Sequence, residues 1–422
     1  MRAEWVECPA GGAAFAVARV RAMVPSPASV AEDVRAIVAG VQEGGDDALL
    51  DFERRFADGT APLRASREEL AAALAALDPA VRAGLEVARE NVGSVAAAGR
   101  VDDCDVALPQ GHTVRLREIP VRRAAVYAPG GRAPYPSTVI MGAVTARAAG
   151  VDEVVVCAPA HPVILAACAL CEVDEVYRMG GAQAIAALAY GTASIPAVDV
   201  IVGPGNLYVQ EAKRQVSGDV GIDGFAGPSD LVVLCTPGAD AALVSLDLLA
   251  QAEHGEDTPV VAVSPHQQLL DDVAVELGAR LRDRPTVAQA ACALVHAADL
   301  ETALAFSEAF APEHLELVGT EAEALAPRVR RAGCLFVGAS GATAFGDYVA
   351  GSNHTLPTGG AARFASGLSV RHFTRRMSEV RIPAAAAAAL AVPGAAVARA
   401  EGFEVHAESM EARTIGDTAT HG

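Results

Sequence analysis

The sequence predicts an α/β fold with two Rossmann-like parallel-sheet domains, a helical N-terminal region and a small helical C-terminal tail. Three short apolar segments, each ending in a Gly or Pro turn and followed by a helical segment, begin at 151, 173 and 198: VDEVVVCAP, VDEVYRMGG and VDVIVGPGN. A second alternating block runs through LVVLC, PVVAV, HLELV and CLFVG. Repeated βα units of this kind imply parallel sheets with right-handed crossovers.

The chain of 422 residues is long enough for two or three domains of about 150 residues each. Its N-terminal part has a helical apolar period, and a capping box from Ser66 to Glu69 predicts a helix start. Beyond the second alternating block the alternation stops, which suits a lid or a dimer arm. The predicted segments are a mainly helical region packing on the second α/β domain (1–122), the first α/β domain (123–236), the second α/β domain (237–366) and the tail (367–422).

Composition and charge restrict the class of protein. The chain is 52% hydrophobic and 20% charged, which is typical of a globular protein. The net charge of −19 argues against nucleic acid or an anionic membrane as partner, because both would repel it. The start, MRAEWVECPA, lacks the apolar segment of a signal peptide, and the Ala-rich run near residue 390 is too short to span a bilayer. We therefore expect a cytoplasmic protein.

Four Gly-rich loops are predicted at the carboxyl ends of strands: APGG, MGGAQ, VGPGN and FAGPSD. Parallel sheets bind ligands at the carboxyl ends of their strands, and a Gly-rich turn into a helix presents backbone N–H groups to phosphate. The sequence has no GxGxxG fingerprint, however. Phosphate or nucleotide binding and plain tight turns both remain open from the residues alone.

Several polar side chains lie where loops or helix ends would expose them. Gln251 and His254 are three residues apart at a predicted helix end, and Glu313 stands beside His314 before a strand. Singly, each is explained by a surface or packing role. Together, N and O donors without a completed Cys site suit a divalent ion such as zinc; Cys168 and Cys171 form a CxxC inside an apolar helix and are set aside. The loop and tail candidates are Asp347, His354, Glu401 and His406.

Eight motifs in order resemble the histidinol dehydrogenase family. They are YAPGGRAPYPST, GGAQAIAALAYGT, GPGNLYVQEAKRQV, AGPSD, LLAQAEH, APEHLEL, FGDYVAGSNHTLPT and GGAARFASGLSV. The likeness is strong from about residue 120 to the C-terminus and loose before it. It implies an NAD-dependent enzyme with one zinc ion per site that oxidises L-histidinol twice, through the aldehyde, to L-histidine. It also implies a homodimer whose active sites are shared between subunits.

The resemblance assigns roles to matching positions. Glu313 and His314 match the catalytic acid/base pair, and Tyr127, Gln183 and Asn206 fall where the family contacts NAD. The positions that match the zinc ligands are Gln251, His254, Asp347 and His406. The positions that match substrate contacts are Ser229, Gln251, His254, His314, Asp347, Glu401 and His406, with His354 as a further candidate. Because Glu401 and His406 lie in the tail, we expect them to reach the neighbouring subunit.

The chain departs from the family beside Ser229. The family commonly has Glu where this chain has Asp230, and Met-Pro where it has Gly224-Phe225. An alternative reading is therefore a paralogue with the same zinc and NAD chemistry on another alcohol, such as a sulfonated diol. A zinc hydrolase and a non-catalytic metabolite-binding protein are more distant readings. NADH formation with histidinol separates a dehydrogenase from a hydrolase, and dependence on Glu313 and His314 separates an enzyme from a binding protein.

Overall fold

The structure is a computed structural model that describes residues 3–24, 29–56, 63–130, 133–225, 227–282, 284, 287 and 290–414. The chain divides into two compact units. Unit one comprises Met1–Gly99 and Val121–Phe373, and unit two comprises Arg100–Pro120 and Thr374–Gly422.

Strands and helices alternate through most of unit one. The strands of the chain are β1 (Ala3–Cys8), β2 (Cys104–Ala107), β3 (Thr113–Pro120), β4 (Arg123–Tyr127), β5 (Glu153–Cys157), β6 (Glu175–Tyr177), β7 (Val200–Val202), β8 (Gly221–Ile222), β9 (Leu231–Cys235), β10 (Pro259–Ser264), β11 (Ala291–Ala297), β12 (His314–Val318), β13 (Cys334–Val337) and β14 (Thr374–Arg381). The helices are α1 (Ala13–Arg21), α2 (Ala31–Phe56), α3 (Arg67–Ala75), α4 (Pro79–Ala98), α5 (Pro136–Ala149), α6 (Pro162–Leu170), α7 (Gly181–Tyr190), α8 (Leu207–Val216), α9 (Ala241–Ala252), α10 (Gln267–Leu281), α11 (Leu300–Phe310), α12 (Thr320–Glu323), α13 (Thr343–Tyr348), α14 (Ala384–Ala400) and α15 (Glu404–Glu411).

The first sheet of unit one has five parallel strands in the order β6-β5-β4-β7-β8. Its central strands are buried on both faces. Ala124 and Val126 of β4 belong to one apolar cluster, and Ala125 and Tyr127 belong to the cluster on the opposite face. A strand covered on both faces reads as a continuous apolar run, which is the pattern that the sequence shows here.

The second sheet of unit one has six parallel strands in the order β1-β11-β10-β9-β12-β13. It too is packed on both faces: Leu315 and Leu317 of β12 join one apolar cluster, whereas Val318 joins the cluster beside α9 and α10. The two parallel sheets confirm the predicted α/β fold class.

The N-terminal part of the chain contributes to both sheets. Strand β1 pairs with β11 at the edge of the second sheet, and α1 packs beside α11. Helices α2, α3 and α4 instead pack on α7, α6 and α5, beside the first sheet. The predicted capping box is confirmed: Glu69 N–H donates to Ser66 Oγ, and Ser66 N–H donates to Glu69 Oε2. The segment boundaries at 122/123, 236/237 and 366/367 stay predictions.

Unit two contains an antiparallel sheet in the order β14-β3-β2, and helices α14 and α15 pack on each other. The expectation of a mainly helical tail missed Thr374–Arg381, which is an eight-residue strand. Its sequence, TRRMSEVR, is polar and lacks the apolar run of the other strands, and its pairing partner lies more than 250 residues earlier at Thr113–Pro120. No helix among the described residues is long and apolar enough to cross a membrane.

Candidate active site

One group of predicted residues lines a cleft at the carboxyl ends of the first sheet. Tyr127 ends β4, Gln183 lies in the first turn of α7, and Asn206 caps α8. All three border a cleft of about 1160 Å³. Residues 128–130, the described part of the loop APGG, follow β4, and the loops MGGAQ and VGPGN follow β6 and β7, as the sequence predicted.

The cleft wall is built from buried polar groups with defined partners. Gly181 N–H donates to the Tyr127 hydroxyl at 3.1 Å. Burial raises the pKa of the Tyr127 phenol well above its usual value, with a smaller contribution from Cys157, so this side chain stays neutral. Its hydroxyl hydrogen remains available for donation to a ligand.

A buried ion pair fixes the loop that carries Asn206. Lys213 Nζ contacts Asp223 Oδ1 and donates to the Gly203 carbonyl at 3.0 Å, while Gly203 N–H donates to Asp223 Oδ2 at 2.7 Å. A Cβ at Gly203 would lie 2.2 Å from the Tyr127 carbonyl oxygen, so only glycine allows this close approach. Asn206 Oδ1 in turn accepts a hydrogen bond from Val209 N–H and starts α8.

A second group of predicted residues lies at the amino ends of the second sheet. Asp230 precedes β9, and His314 is the first residue of the neighbouring β12. The loop FAGPSD follows the carboxyl end of β8, as expected, but its described residues 227–230 also lead into β9, so Ser229 and Asp230 lie at the amino edge of the second sheet. Helices α9 and α11 both end on this side, and helix C-termini favour positive charge, so the amino edge is electrostatically suited to a cation.

Glu313 is held in a buried, oriented position. Its Oε2 accepts hydrogen bonds from the Ser229 hydroxyl and, at 3.1 Å, from Asp230 N–H. Its own N–H donates to Asp230 Oδ1 at 2.6 Å. Burial raises the pKa of the Glu313 carboxyl, while the nearby His314 opposes the rise. Ser229 also accepts a hydrogen bond from Gln251 Nε2, so four of the residues form one network.

His314 stands between two carboxylates. Its Nδ1 is 3.7 Å from Glu313 Oε2, and its Nε2 is 3.6 Å from Asp347 Oδ1. Burial disfavours the charged ring, but Asp347 and Glu313 outweigh that effect and raise the pKa of His314 to about 9. Nδ1 is buried without a hydrogen-bond partner among the described residues. The sharp turn before it, with Ala311 in the left-handed region at φ 49°, aims both side chains into one site.

Three of the four predicted zinc ligands lie close together in unit one. Gln251 and His254 come from the last turn of α9 and the residues after it, and Asp347 comes from α13. His254 Nε2 is 3.9 Å from Asp347 Oδ2. Burial works against the Asp347 charge, yet the imidazoles of His254 and His314 lower the pKa of Asp347 well below its usual range. In the described part of the chain, no three His, Cys, Asp or Glu side chains converge closely enough to form a metal cluster by themselves.

His354 lies beside Asp347, but neither of its ring nitrogens is open to a ligand. Its Nδ1 faces the Asp347 carbonyl oxygen at 3.0 Å, so Nδ1 carries the hydrogen, and its Nε2 lies 3.1 Å from the Thr138 hydroxyl. Both ring nitrogens thus have partners. The side chain connects the segment after α13 to α5 of the first sheet.

The remaining two predicted residues belong to unit two. Glu401 follows α14 and His406 lies on α15, and both side chains are exposed. The His406 ring packs against Phe403 with centroids 5.2 Å apart. The other predicted site residues all lie in unit one, where they form the two groups described above. Glu401 and His406 belong to unit two.

Two buried carboxylates were missed by the sequence reasoning as site residues. Asp230 receives the N–H groups of Glu313 and Gly359, and Glu53 contacts the cleft residue Gln183. Asp230 offered a signal, since it departs from the family beside Ser229. Glu53 offered none, because it lies in an ordinary helical stretch, DFERRF.

Comparison with known proteins gives one consistent family. Residues 22–414 match the histidinol dehydrogenase family. Histidinol dehydrogenase of Parasynechococcus marenigrum is 44% identical over 394 residues, which cover 90% of each chain. The Pseudomonas aeruginosa protein of that name is 42% identical over 407 residues, 92% of each chain. The crystal structure of histidinol dehydrogenase from Elizabethkingia anophelis superimposes with a TM-score of 0.88 at 29% identity, covering 92% of this chain and 93% of that one. The chain therefore belongs to the histidinol dehydrogenase family of oxidoreductases.

Proposed function

We propose that this protein is an NAD-dependent, zinc-containing histidinol dehydrogenase. It oxidises L-histidinol to L-histidine in two steps by way of L-histidinaldehyde, the last step of histidine biosynthesis. The observation that carries the proposal is the buried Glu313–His314 pair, whose side chains lie 3.7 Å apart and are bracketed by Ser229 and Asp347. Two proton-transfer groups at one place suit two successive oxidations of one carbon.

The donor set at the amino edge of the second sheet fits zinc. Gln251 Nε2 is engaged with Ser229, which leaves Gln251 Oε1 for the ion, and His254 and Asp347 add an imidazole nitrogen and a carboxylate. His406 is proposed as the fourth ligand. When bound, zinc supplies a template and Lewis acid for the substrate nitrogens and hydroxyl, and NAD supplies the hydride acceptor.

His314 acts as the proton acceptor for the carbinol hydroxyl. The neutral form of its ring takes the hydroxyl proton, and because Asp347 and Glu313 raise its pKa to about 9, that form is the minor one near pH 7. Glu313 and Asp347 flank the ring and stabilise the imidazolium that forms on proton uptake. A positioned base of this kind contributes about 10²- to 10⁴-fold in rate.

Glu313 acts in the second step by taking a proton from water. Its Oε2 is occupied by Ser229 and the Asp230 amide, and these two bonds hold the carboxylate in one orientation. The other oxygen, Oε1, is the atom that faces away from these bonds and can accept the proton. The resulting aldehyde hydrate is the species from which His314 takes the next proton.

The cleft at the first sheet is the proposed NAD site. Its fit rests on the close approach of backbone at the entrance to α7: a Cβ at Gly181 would lie 2.7 Å from Gln183 Oε1, so only glycine lets the Gln183 amide lie against this turn. Tyr127, Gln183 and Asn206 are its proposed contacts. The region 123–236 is accordingly proposed as the NAD-contacting domain and 237–366 as the domain that holds the metal and the catalytic pair.

Glu401 is proposed to hold the substrate amine, because an exposed carboxylate suits a cationic group. We further propose that the protein acts in the cytoplasm as a homodimer in which Glu401 and His406 complete the neighbouring subunit's site. Mixed dimers test this arrangement. Combining inactive His406→Ala and His314→Ala chains should restore activity to some sites, whereas two chains with defects in the same residue should stay inactive.

The deciding experiment is NADH formation by the purified protein with L-histidinol. We expect two NADH for each L-histidine formed, and rescue of a histidine auxotroph that is lost on changing His314 to Ala. Equal or better turnover of a sulfonated diol would support the paralogue reading and overturn the proposal. Absence of NADH with both alcohols would overturn the dehydrogenase assignment as a whole.

A further inference from the structure

The cofactor cleft contains a buried carboxylate that neither the family assignment nor the proposed mechanism uses. Glu53 comes from the last turns of α2, is only 7% exposed, and borders the same cleft as Tyr127 and Gln183. Charged side chains are almost never buried to this degree unless they are paired or hydrogen-bonded. The hydrogen-bond partners of the Glu53 carboxylate therefore indicate its role.

Glu53 receives two hydrogen bonds on one oxygen. Gly180 N–H donates to Oε1 at 3.1 Å, and Gln183 Nε2 donates to the same oxygen at 2.9 Å. Gly180 lies in the turn that leads into α7, and Gln183 lies in the first turn of that helix. Burial raises the pKa of Glu53, while the hydrogen bonds from Gly180 and Gln183 act in the opposite direction.

This contact determines which way the Gln183 amide faces. A side-chain amide has a donor end and an acceptor end, and a carboxylate can only accept. The NH₂ end of Gln183 must therefore face Glu53, and its Oε1 is turned towards Gly181, where a Cβ would approach within 2.7 Å. A ligand in the cleft thus meets a hydrogen-bond acceptor of fixed orientation at Gln183. Without Glu53, the amide could rotate by about 180° and present a donor instead.

We propose that Glu53 is a positioning residue of the cofactor cleft, which holds the Gly180–Gly181 turn and orients the Gln183 amide for NAD. The inference rests on the proposed function, because it takes NAD as the ligand of this cleft. It adds a residue from α2, outside the Gly-rich loops, that acts through Gln183. Preorganised groups bind more tightly because less ordering is required on binding.

The test compares NAD binding and turnover in four variants. Glu53→Ala removes the acceptor, Glu53→Gln keeps an oxygen that can accept both bonds, and Gln183→Ala removes the group that is positioned. Asp51→Asn is the matched control, since it neutralises an exposed carboxylate on the same helix that pairs with Arg54. NAD affinity is measured by titration calorimetry without substrate, and KM and kcat are measured with L-histidinol.

We expect Glu53→Ala to weaken NAD binding about tenfold and to raise KM for NAD similarly, as for loss of a hydrogen bond to a charged group. At saturating NAD, kcat should stay within about twofold of wild type, because Glu313 and His314 do not border this cleft. Glu53→Gln should restore most of the affinity. In a Gln183→Ala background, the further change Glu53→Ala should cost little, because the two residues act as one unit.

Several results would overturn the proposal. Unchanged NAD affinity in Glu53→Ala would exclude a positioning role, and so would equal, additive losses from Glu53→Ala and Gln183→Ala. A drop in kcat and melting temperature with unchanged NAD affinity would assign Glu53 a purely structural role. Failure of the proposed function gives a different result, since the wild-type protein itself would then show no NAD binding or no NADH formation.

Discussion

Asp230 and Glu313 hold each other through two hydrogen bonds, one in each direction. Glu313 N–H donates to Asp230 Oδ1 at 2.6 Å, and Asp230 N–H donates to Glu313 Oε2 at 3.1 Å. Asp230 Oδ2 also accepts from Gly359 N–H at 3.2 Å. The residue that departs from the family pattern is thus the one that orients the proposed water-activating carboxylate.

Removing the Asp230 carboxylate should disturb the second oxidation through Glu313. We expect Asp230→Ala to lower the rate of aldehyde oxidation by about 10- to 100-fold, since a small displacement of a catalytic group has effects of that size. Asp230→Asn keeps one acceptor and should lose less. The rates are measured with L-histidinaldehyde at saturating NAD. Equal effects of both variants would show that the orientation of Glu313 does not depend on this pair of bonds.

Changing Glu313 to Gln should separate the two chemical steps. The amide that Glu313→Gln introduces cannot take a proton from water, so we expect aldehyde oxidation to fall by about 10²- to 10⁴-fold while alcohol oxidation falls much less. In a single turnover with L-histidinol, the variant should release the first NADH and accumulate the aldehyde. Equal losses in both steps would contradict the water-activating role.

Metal content should depend on His254 and Asp347. We expect His254→Ala and Asp347→Ala to lower bound zinc by about tenfold or more, as for the loss of a ligand from a four-coordinate site. Elemental analysis after exhaustive dialysis measures this independently of activity. His266→Ala is the control, because it removes an exposed imidazole 3.7 Å from Glu321 outside the site. Full zinc content in both site variants would refute the assigned ligands.

A buried acidic pair beneath the site should make stability depend on pH. Burial and the neighbouring Asp247 raise the pKa of Glu316 to about 9, and burial raises the pKa of Asp247 to about 6. Acids whose pKa is raised by folding stabilise the folded state at low pH and lose that contribution as pH rises through the raised values. Wild type should therefore lose stability from about pH 5 to about pH 9 relative to Glu316→Gln, because the amide at position 316 stays neutral.

The measurement is the difference in melting temperature between wild type and Glu316→Gln across that range. We expect the variant to gain roughly 1 °C on wild type for each kcal/mol that the pair loses at high pH, because the entropy of unfolding scales with the 422 residues of the chain. Glu43→Gln, an exposed change on α2, should follow wild type at every pH. A constant difference between Glu316→Gln and wild type would show that the pair does not titrate in this range.

The ion pair behind the Asn206 loop should matter for folding. Lys213 is 1% exposed and forms an ion pair with Asp223. Removing Asp223 leaves a buried positive charge, so we expect Asp223→Ala to cost about 3–5 kcal/mol in the free energy of unfolding. Urea denaturation measures it, with the exposed Asp152→Ala as control. A double change to apolar residues, Lys213→Met with Asp223→Leu, should cost less than Asp223→Ala; the opposite order would contradict the argument.

Much of the fold could be predicted from local patterns in the sequence. Buried parallel strands are continuous apolar runs, and Gly or Pro turns mark their ends, so segments such as LVVLC and HLELV could be assigned before their neighbours were known. Thr374–Arg381 was missed because a polar strand is recognised only through its pairing partner, Thr113–Pro120. Residues in motifs were found in the same local way, which is why Glu313 and His314 were predicted and Glu53 was not.

The sequence by itself determined the α/β class, the family and the identity of most candidate site residues, because these depend on patterns within a few neighbouring positions. Only the tertiary structure decided that Ser229 and Asp230 lie at the amino edge of the second sheet, that Asp230 orients Glu313, and that Glu53 reaches Gln183 from 130 positions away along the chain. Those relationships depend on which strands pair and which helices cover them. Long-range packing sets them, and no local pattern encodes it.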